Sequence, residues 1–181
     1  LPFRVPALFQ EIGMSFRPLA EAKNLQLEWV LQPEEMEQVY LGDTIRLRQV
    51  VSNLLSNAIK FTDEGKVSLI VSIEQVESYQ YALVILVRDT GPGIPYEERE
   101  RIFGEFARLY GTEQVEGFGL GLSITRKLVQ LMHGTLTLES EEGEGSRFKV
   151  CVPLPLAGNQ FMVADMPTKE ADPEEALPTL D

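Results

Sequence analysis

The chain has 181 residues, 44% of them hydrophobic and 24% charged, which bounds it to an ordinary folded domain with a sizeable core. Its net charge is -12, from 16 basic and 28 acidic residues, and no run of Lys and Arg forms a patch, so nucleic acid is excluded as a partner. A lone Cys151 rules out an internal disulfide, and no stretch approaches the roughly 18 apolar residues of a membrane helix.

The start, "LPFRVPALF", lacks the layout of a signal peptide and an initiator Met, so a piece of a longer protein is expected. From Val5 to about Lys23, Leu8, Ile12, Phe16, Leu19 and Ala20 fall at helical spacing. Leu25 to Leu31 reads as a strand, and Val39 to Asp43 as a short strand and turn. Asp43 is a plausible N-cap for a helix from Arg46 to about Phe61. A turn at Asp63 to Gly65 leads into the strand "KVSLIVSIEQV", and Ala82 to Asp89 is an apolar strand ending on an acid. "TGPGIP" must be a loop and "YEERERIF" a short helix. Gly104 to Gly121 is irregular and Gly-rich, and Leu122 to Met132 is an amphipathic helix. "GTLTLES" and "SRFKVCVPLP" close a hairpin through Gly143 and Gly145. Past Leu156, Pro and acids dominate, which predicts a domain over 1–156 and a linker or disordered tail over 157–181. This interleaved order argues for an α/β two-layer sandwich, one mixed sheet with helices on one face.

Three stretches carry polar groups where structure alone does not ask for them. In "QVVSNLLSNAIKFT", Asn53 and Asn57 lie four residues apart and share a helix face among apolar neighbours. Asparagine is a poor helix former and costly to bury unpaired. Its amide oxygen suits a hard cation such as Mg²⁺, which takes few protein ligands and keeps waters and phosphates. Lys60, three residues after Asn57, can reach a phosphate, so the three read as the lip of a pocket facing a nucleotide-bound metal. In "DTGPGIP", Asp89 can only accept hydrogen bonds and so suits an amine such as that of adenine, while Gly91 and Gly93 let a flat ring approach. In "GFGLGLSITRKL", Gly117, Gly119 and Gly121 lead into a helix whose N-terminus can hold an anion. Taken singly, these patterns fit a surface turn, a flexible loop and helix-surface amides as well.

Their combination is far more specific. Asn-x₃-Asn-x₂-Lys, Asp-x-Gly-x-Gly, Phe-x₂-Phe and Gly-x-Gly-x-Gly, in this order, resemble the ATP-binding catalytic domain of sensor histidine kinases. "NLLSNAIKFT" looks like the N box, "DTGPGIP" the G1 box, "FGEF" the F box, "GFGLGL" the G2 box and "GEGSRFKVCVPLP" the closing segment. The resemblance covers about Phe3 to Pro155 and implies the Bergerat fold: a mixed, mostly antiparallel sheet covered on one face by about three helices. It implies ATP and Mg²⁺ as ligands, with Asn57 on the metal, Asn53 on the phosphate side and Lys60 on a phosphate. It further implies Asp89 at the adenine amine, with Gly91, Gly93 and Ser146 around the base, and Phe61 and Ile94 among the other ATP-binding residues. Gly117, Gly119, Leu120 and Gly121 would bind phosphates and hinge a lid over Pro95 to Gly117 that Phe103 and Phe106 anchor.

Two departures matter. Hydrolytic relatives carry a glutamate where Asn53 stands, and an amide cannot act as a general base, which favours a kinase over an ATPase. The family's phosphoacceptor histidine is missing; the single His133, in "LMHGTL", has the wrong context and takes no role. The expectation is a domain that passes the ATP γ-phosphoryl to a histidine on an upstream dimerisation hairpin outside this chain. Its partners would be that hairpin and a response-regulator receiver domain. This chain would be monomeric and cytoplasmic and the full protein a homodimer, membrane-anchored or not. A serine kinase or ATPase of the same fold, or a nucleotide-binding docking module without turnover, are the competing readings.

Overall fold

A computed structural model describes residues 1–32, 37–77, 80–104 and 121–158. The predicted tail beyond Gly158, the part of the lid that follows Gly104, with Phe106 and Gly117, and also Gly119 and Leu120 lie outside the described residues. Among those described, strand β1 (Pro2–Phe3) precedes helix α1 (Val5–Ala22), strands β2 (Gln26–Gln32) and β3 (Tyr40–Leu41), and helix α2 (Thr44–Phe61). Strands β4 (Lys66–Glu77) and β5 (Gln80–Asp89), helix α3 (Gly121–Leu131) and strands β6 (Thr135–Glu141) and β7 (Gly145–Pro153) follow. The five long strands form one sheet in the order β2-β4-β5-β7-β6. Only β2–β4 is parallel among them; β4–β5, β5–β7 and β6–β7 are antiparallel.

The register puts one apolar row per strand on the same side. Leu27 pairs with Val67, Leu69 with Val87, Ile85 with Val150, and Val150 with Leu136. Against that face pack Leu8, Phe9 and Ile12 of α1 and Leu47, Val50, Val51, Leu54, Leu55, Ala58 and Ile59 of α2, all buried. The period-2 and period-3.6 patterns therefore meet in one core, and the sheet-over-helices sandwich read from the sequence is the observed fold. Leu19 alone of the predicted apolar stripe of α1 turns to solvent, 54% exposed. The opposite sheet face carries a polar row through Glu28, Ser68, Arg88, Arg147 and Glu139, one from each strand in register. There Glu28 accepts from Ser68 Oγ at 2.8 Å and pairs with Lys66 at 3.3 Å.

Two local features differ from the sequence reading. β1 pairs antiparallel with β3 through Pro2–Leu41 and Phe3–Tyr40, and Leu156 bridges Tyr40. Two-residue strands hold too few residues to show a period. "YEERERIF" forms two 3₁₀ turns, Tyr96–Glu98 and Arg101–Phe103, rather than one α-helix. His133 stops α3 in the left-handed region, φ +58°, with its N–H on the Gln130 carbonyl and that of Gly134 on Val129. No described helix is long and apolar enough to cross a membrane.

Candidate functional site

α2 is the common wall of the site. Asp43 caps it, its side chain accepting from Arg46 N at 3.0 Å, and the apolar face locks its rotation against the sheet. Asn53 and Asn57 then fall, half-buried, at the border of that face, where α2 meets α3. Asn53 Nδ2 donates to the Gly121 carbonyl at 3.4 Å and to Thr125 Oγ1 at 3.3 Å. Thr125, fully buried, donates in turn to the Gly121 carbonyl at 2.6 Å. Asn57 Nδ2 stands 3.7 Å from the point where a side chain on Gly121 would begin. Both amides thus flank the first residue of α3, directly after the glycine-rich segment. At the far end of α2, Lys60 Nζ lies 5.6 Å from the Phe61 ring centroid. Lys23 Nζ, reaching from the end of α1, donates to the carbonyls of Ile59 and Lys60 at 2.8 and 3.0 Å.

Asp89 closes β5 on the helix-covered face and is buried. Burial pushes its carboxyl above the ordinary range, opposed by backbone N–H donors from Gly91 and Ser146. The Gly91 bond, to Oδ1, measures 2.9 Å. Gly91 is tightly enclosed: a Cβ there would sit 3.0 Å from Asp89 Oδ1 and 3.1 Å from both the Phe61 carbonyl and Thr62 Oγ1. Gly91 thus lies between the carboxylate and the C-terminal end of α2. Gly93 adopts φ +73°, and a Cβ on it would fall 2.1 Å from the Glu141 carbonyl oxygen, so only glycine allows the loop to lie on the β6–β7 turn. Ile94 is buried, its N–H donating to Ser140 Oγ at 2.8 Å. Ser140 gives its own proton to the Gly145 carbonyl at 2.9 Å, which leaves it the acceptor from Ser146 Oγ at 3.0 Å.

Of the predicted site residues, the structure gathers Asn53, Asn57 and Gly121 along the middle and last turns of α2, and Phe61, Asp89, Gly91, Gly93, Ile94 and Ser146 around its C-terminal end. At 1.5 Å per residue the levels of Asn53 and Phe61 are about 12 Å apart along the helix, the scale of an extended nucleoside triphosphate. Four residues join them that sequence reasoning passed over. Ser140 and Thr125 supply side-chain bonds across elements far apart in sequence. Arg99 donates to the Ile94 carbonyl at 3.4 Å and to that of Ser140. Thr62, fully buried, has no hydrogen-bond partner for its hydroxyl among the described residues. Thr62 lies two residues after the Asn-Lys motif, so its position was the available signal; the others had none. No cluster of three or more His, Cys, Asp or Glu that could hold a metal occurs among the described residues. A cation here would take amide oxygens and ligand phosphates, which fits Mg²⁺ and does not fit zinc.

Residues 42–156 match the family described as histidine kinase-, DNA gyrase B-, and HSP90-like ATPase. The chain is similar to the sensor histidine kinase RcsC of Escherichia coli, 43% identical over 150 residues; the match covers 81% of this chain but only 15% of that protein. Among solved structures it resembles full-length ShkA in complex with AMPPNP, with a TM-score of 0.70 and 27% identity over 87% of this chain and 31% of that one. It also resembles the nucleotide-free catalytic domain of the histidine kinase ThkA, with a TM-score of 0.67 and 27% identity over 84% of this chain and 95% of that one.

Proposed function

The chain belongs to the family of histidine kinase-, DNA gyrase B- and HSP90-like ATPases, and on that premise we propose that it is the ATP-binding catalytic domain, 1–156, of a sensor histidine kinase. The observation that carries this is the C-terminal half of α2, with paired amides beside Gly121 and, further along, Phe61 and Thr62 beside Gly91, whose N–H binds the buried Asp89. Asp89 accepts from the base amine, and Gly91, Gly93, Ile94, Phe61 and Ser146 shape the base pocket. Asn57 offers an amide oxygen to Mg²⁺, and Lys60 neutralises phosphate charge, with Gly117, Gly119, Leu120 and Gly121 along the same phosphates. Mg²⁺, when bound, withdraws charge from the phosphate oxygens. The chain's own residues position and neutralise, the main terms in phosphoryl transfer. Asn53 supplies no base for water, so the γ-phosphoryl passes to a histidine on a dimerisation hairpin and from there to a receiver domain. His133 is no substitute: it follows the eleven-residue α3, about 16 Å long, whose other end meets the amides.

Thermal unfolding with ATP, ADP or GTP and MgCl₂ tests the base reading. A ligand at about 100 times its Kd adds about 2.7 kcal/mol, or about 5 °C or more in Tm for a domain of this size. ATP and ADP should give that shift and GTP should not. An equal GTP response would overturn the role of Asp89.

A further inference from the structure

Asn53, Thr125 and the Gly121 carbonyl form a closed hydrogen-bonded triangle between α2 and the start of α3. Its protons can be counted. The Gly121 carbonyl has none to give, and Thr125 Oγ1 gives its single proton to that carbonyl at 2.6 Å. Both remaining contacts of the triangle, 3.3 and 3.4 Å, therefore need a donor from Asn53, and only its NH₂ supplies one. With the amide turned over, Oδ1 would face two acceptors across a half-buried contact. The chemistry thus fixes which edge of Asn53 faces α3 and leaves Oδ1 as the edge for anything else. A carbonyl oxygen accepts from a cation, a metal-bound water or an amine; it repels a phosphate oxygen.

We propose that Thr125 is a positioning residue: by accepting from Asn53 Nδ2 while donating to the Gly121 carbonyl, it holds the Asn53 amide with Oδ1 presented to the cation side of the site. This rests on the nucleotide reading above and narrows it, since Asn53 then serves the metal or its waters rather than the phosphates. Valine at 125 keeps the shape and loses the acceptor, so the amide can turn. Serine keeps the acceptor.

Isothermal titration with ADP, once with MgCl₂ and once with EDTA, compares the parent with Thr125→Val and Thr125→Ser. The gain in ADP affinity on adding Mg²⁺ should fall about 3- to 10-fold in Thr125→Val, the loss of one hydrogen bond's worth of positioning, with affinity in EDTA unchanged. Thr125→Ser should restore it. A merely structural Thr125 would weaken both conditions alike, and that result, or an unaltered Mg²⁺ gain in Thr125→Val, overturns the proposal. A parent chain that binds no ADP under either condition overturns the nucleotide reading and the proposal together. Should Thr125→Val fail to fold, ¹⁵N-resolved spectra of the unliganded parent decide. The Asn53 NH₂ protons should exchange more slowly than those of exposed side-chain amides, and exchange at the exposed rate overturns the proposal.

Discussion

Burial raises the Asp89 carboxyl pKa above its ordinary value, and the N–H groups of Gly91 and Ser146 oppose that rise. The native state therefore keeps this proton to higher pH than the unfolded chain does. Between the ordinary carboxylate pKa and the raised one, the folded protein binds more protons, so stability falls as pH rises through that window and stays lower above it. Asp89→Asn removes the charge that burial disfavours and keeps an oxygen for the Gly91 N–H, which now stands at 2.9 Å. The ligand-free variant should be at least as stable as the parent at pH 7 and should lose the downward step with rising pH. Its affinity for ADP should drop by about tenfold or more, since a hydrogen bond to a charged group is worth about 1.5–3 kcal/mol. Stability and binding then move in opposite directions, which a mere packing defect cannot produce. Urea unfolding between pH 3 and 8, with ADP titration at pH 7, reads both. A variant less stable than the parent at pH 7 would refute the burial argument, and one with parental ADP affinity would refute the base contact.

At the scale of the element, α2 depends on a neighbour for its C-terminus. Its last carbonyls receive the Lys23 ammonium, which adds a cation at the negative end of the helix dipole. Lys23→Met keeps the aliphatic stem and removes both bonds, and should cost about 1 kcal/mol, read as a lower urea midpoint at an unchanged slope. Because Phe61 and Thr62 border Gly91, fraying there should also weaken ADP binding; unchanged stability would show the contact to be idle. That dependence explains what the sequence disclosed. α2 itself was legible from its Asp43 cap and apolar period, and the strands from their alternation, because both signals are local. The two 3₁₀ turns were not, since three-residue turns have no period to read and "YEERERIF" has ordinary helix formers. The pairing of β1 with β3 and the triangle of Asn53, Thr125 and Gly121 join residues dozens of positions apart. The triangle follows from the packing of α2 against α3, which no short window contains. Asp89 and the asparagines were legible as anomalies, a carboxylate closing an apolar strand and amides on an apolar face; Thr125, which holds Asn53, looks unremarkable in sequence.

For the molecule as a whole, the proposed reading makes this chain one half of a transfer reaction. The helix-covered side of the sheet is filled by the core, and the other side presents the polar row from Glu28 to Glu139, with Lys66–Glu28 and Arg147–Glu139 pairs at 3.3 and 3.5 Å. Neither side offers a histidine to the cluster around α2: the only one in the chain, His133, caps the remote end of α3 in a left-handed turn. Phosphoryl transfer needs an acceptor held in line within about 3–3.5 Å, and hydrolysis needs a base that Asn53 cannot provide. The isolated chain incubated with γ-labelled ATP and MgCl₂ should therefore bind nucleotide without labelling itself and without measurable hydrolysis. With the dimerisation hairpin of its own full-length protein added in trans, label should appear on a histidine of that hairpin. The bond formed is phosphorus to nitrogen, which hydrolyses once the nitrogen is protonated, so an acid wash should release the label and alkali should not. Acid-stable label on the isolated chain would identify a hydroxyl acceptor and make this a serine or threonine kinase of the same fold; steady phosphate release without any acceptor would make it an ATPase.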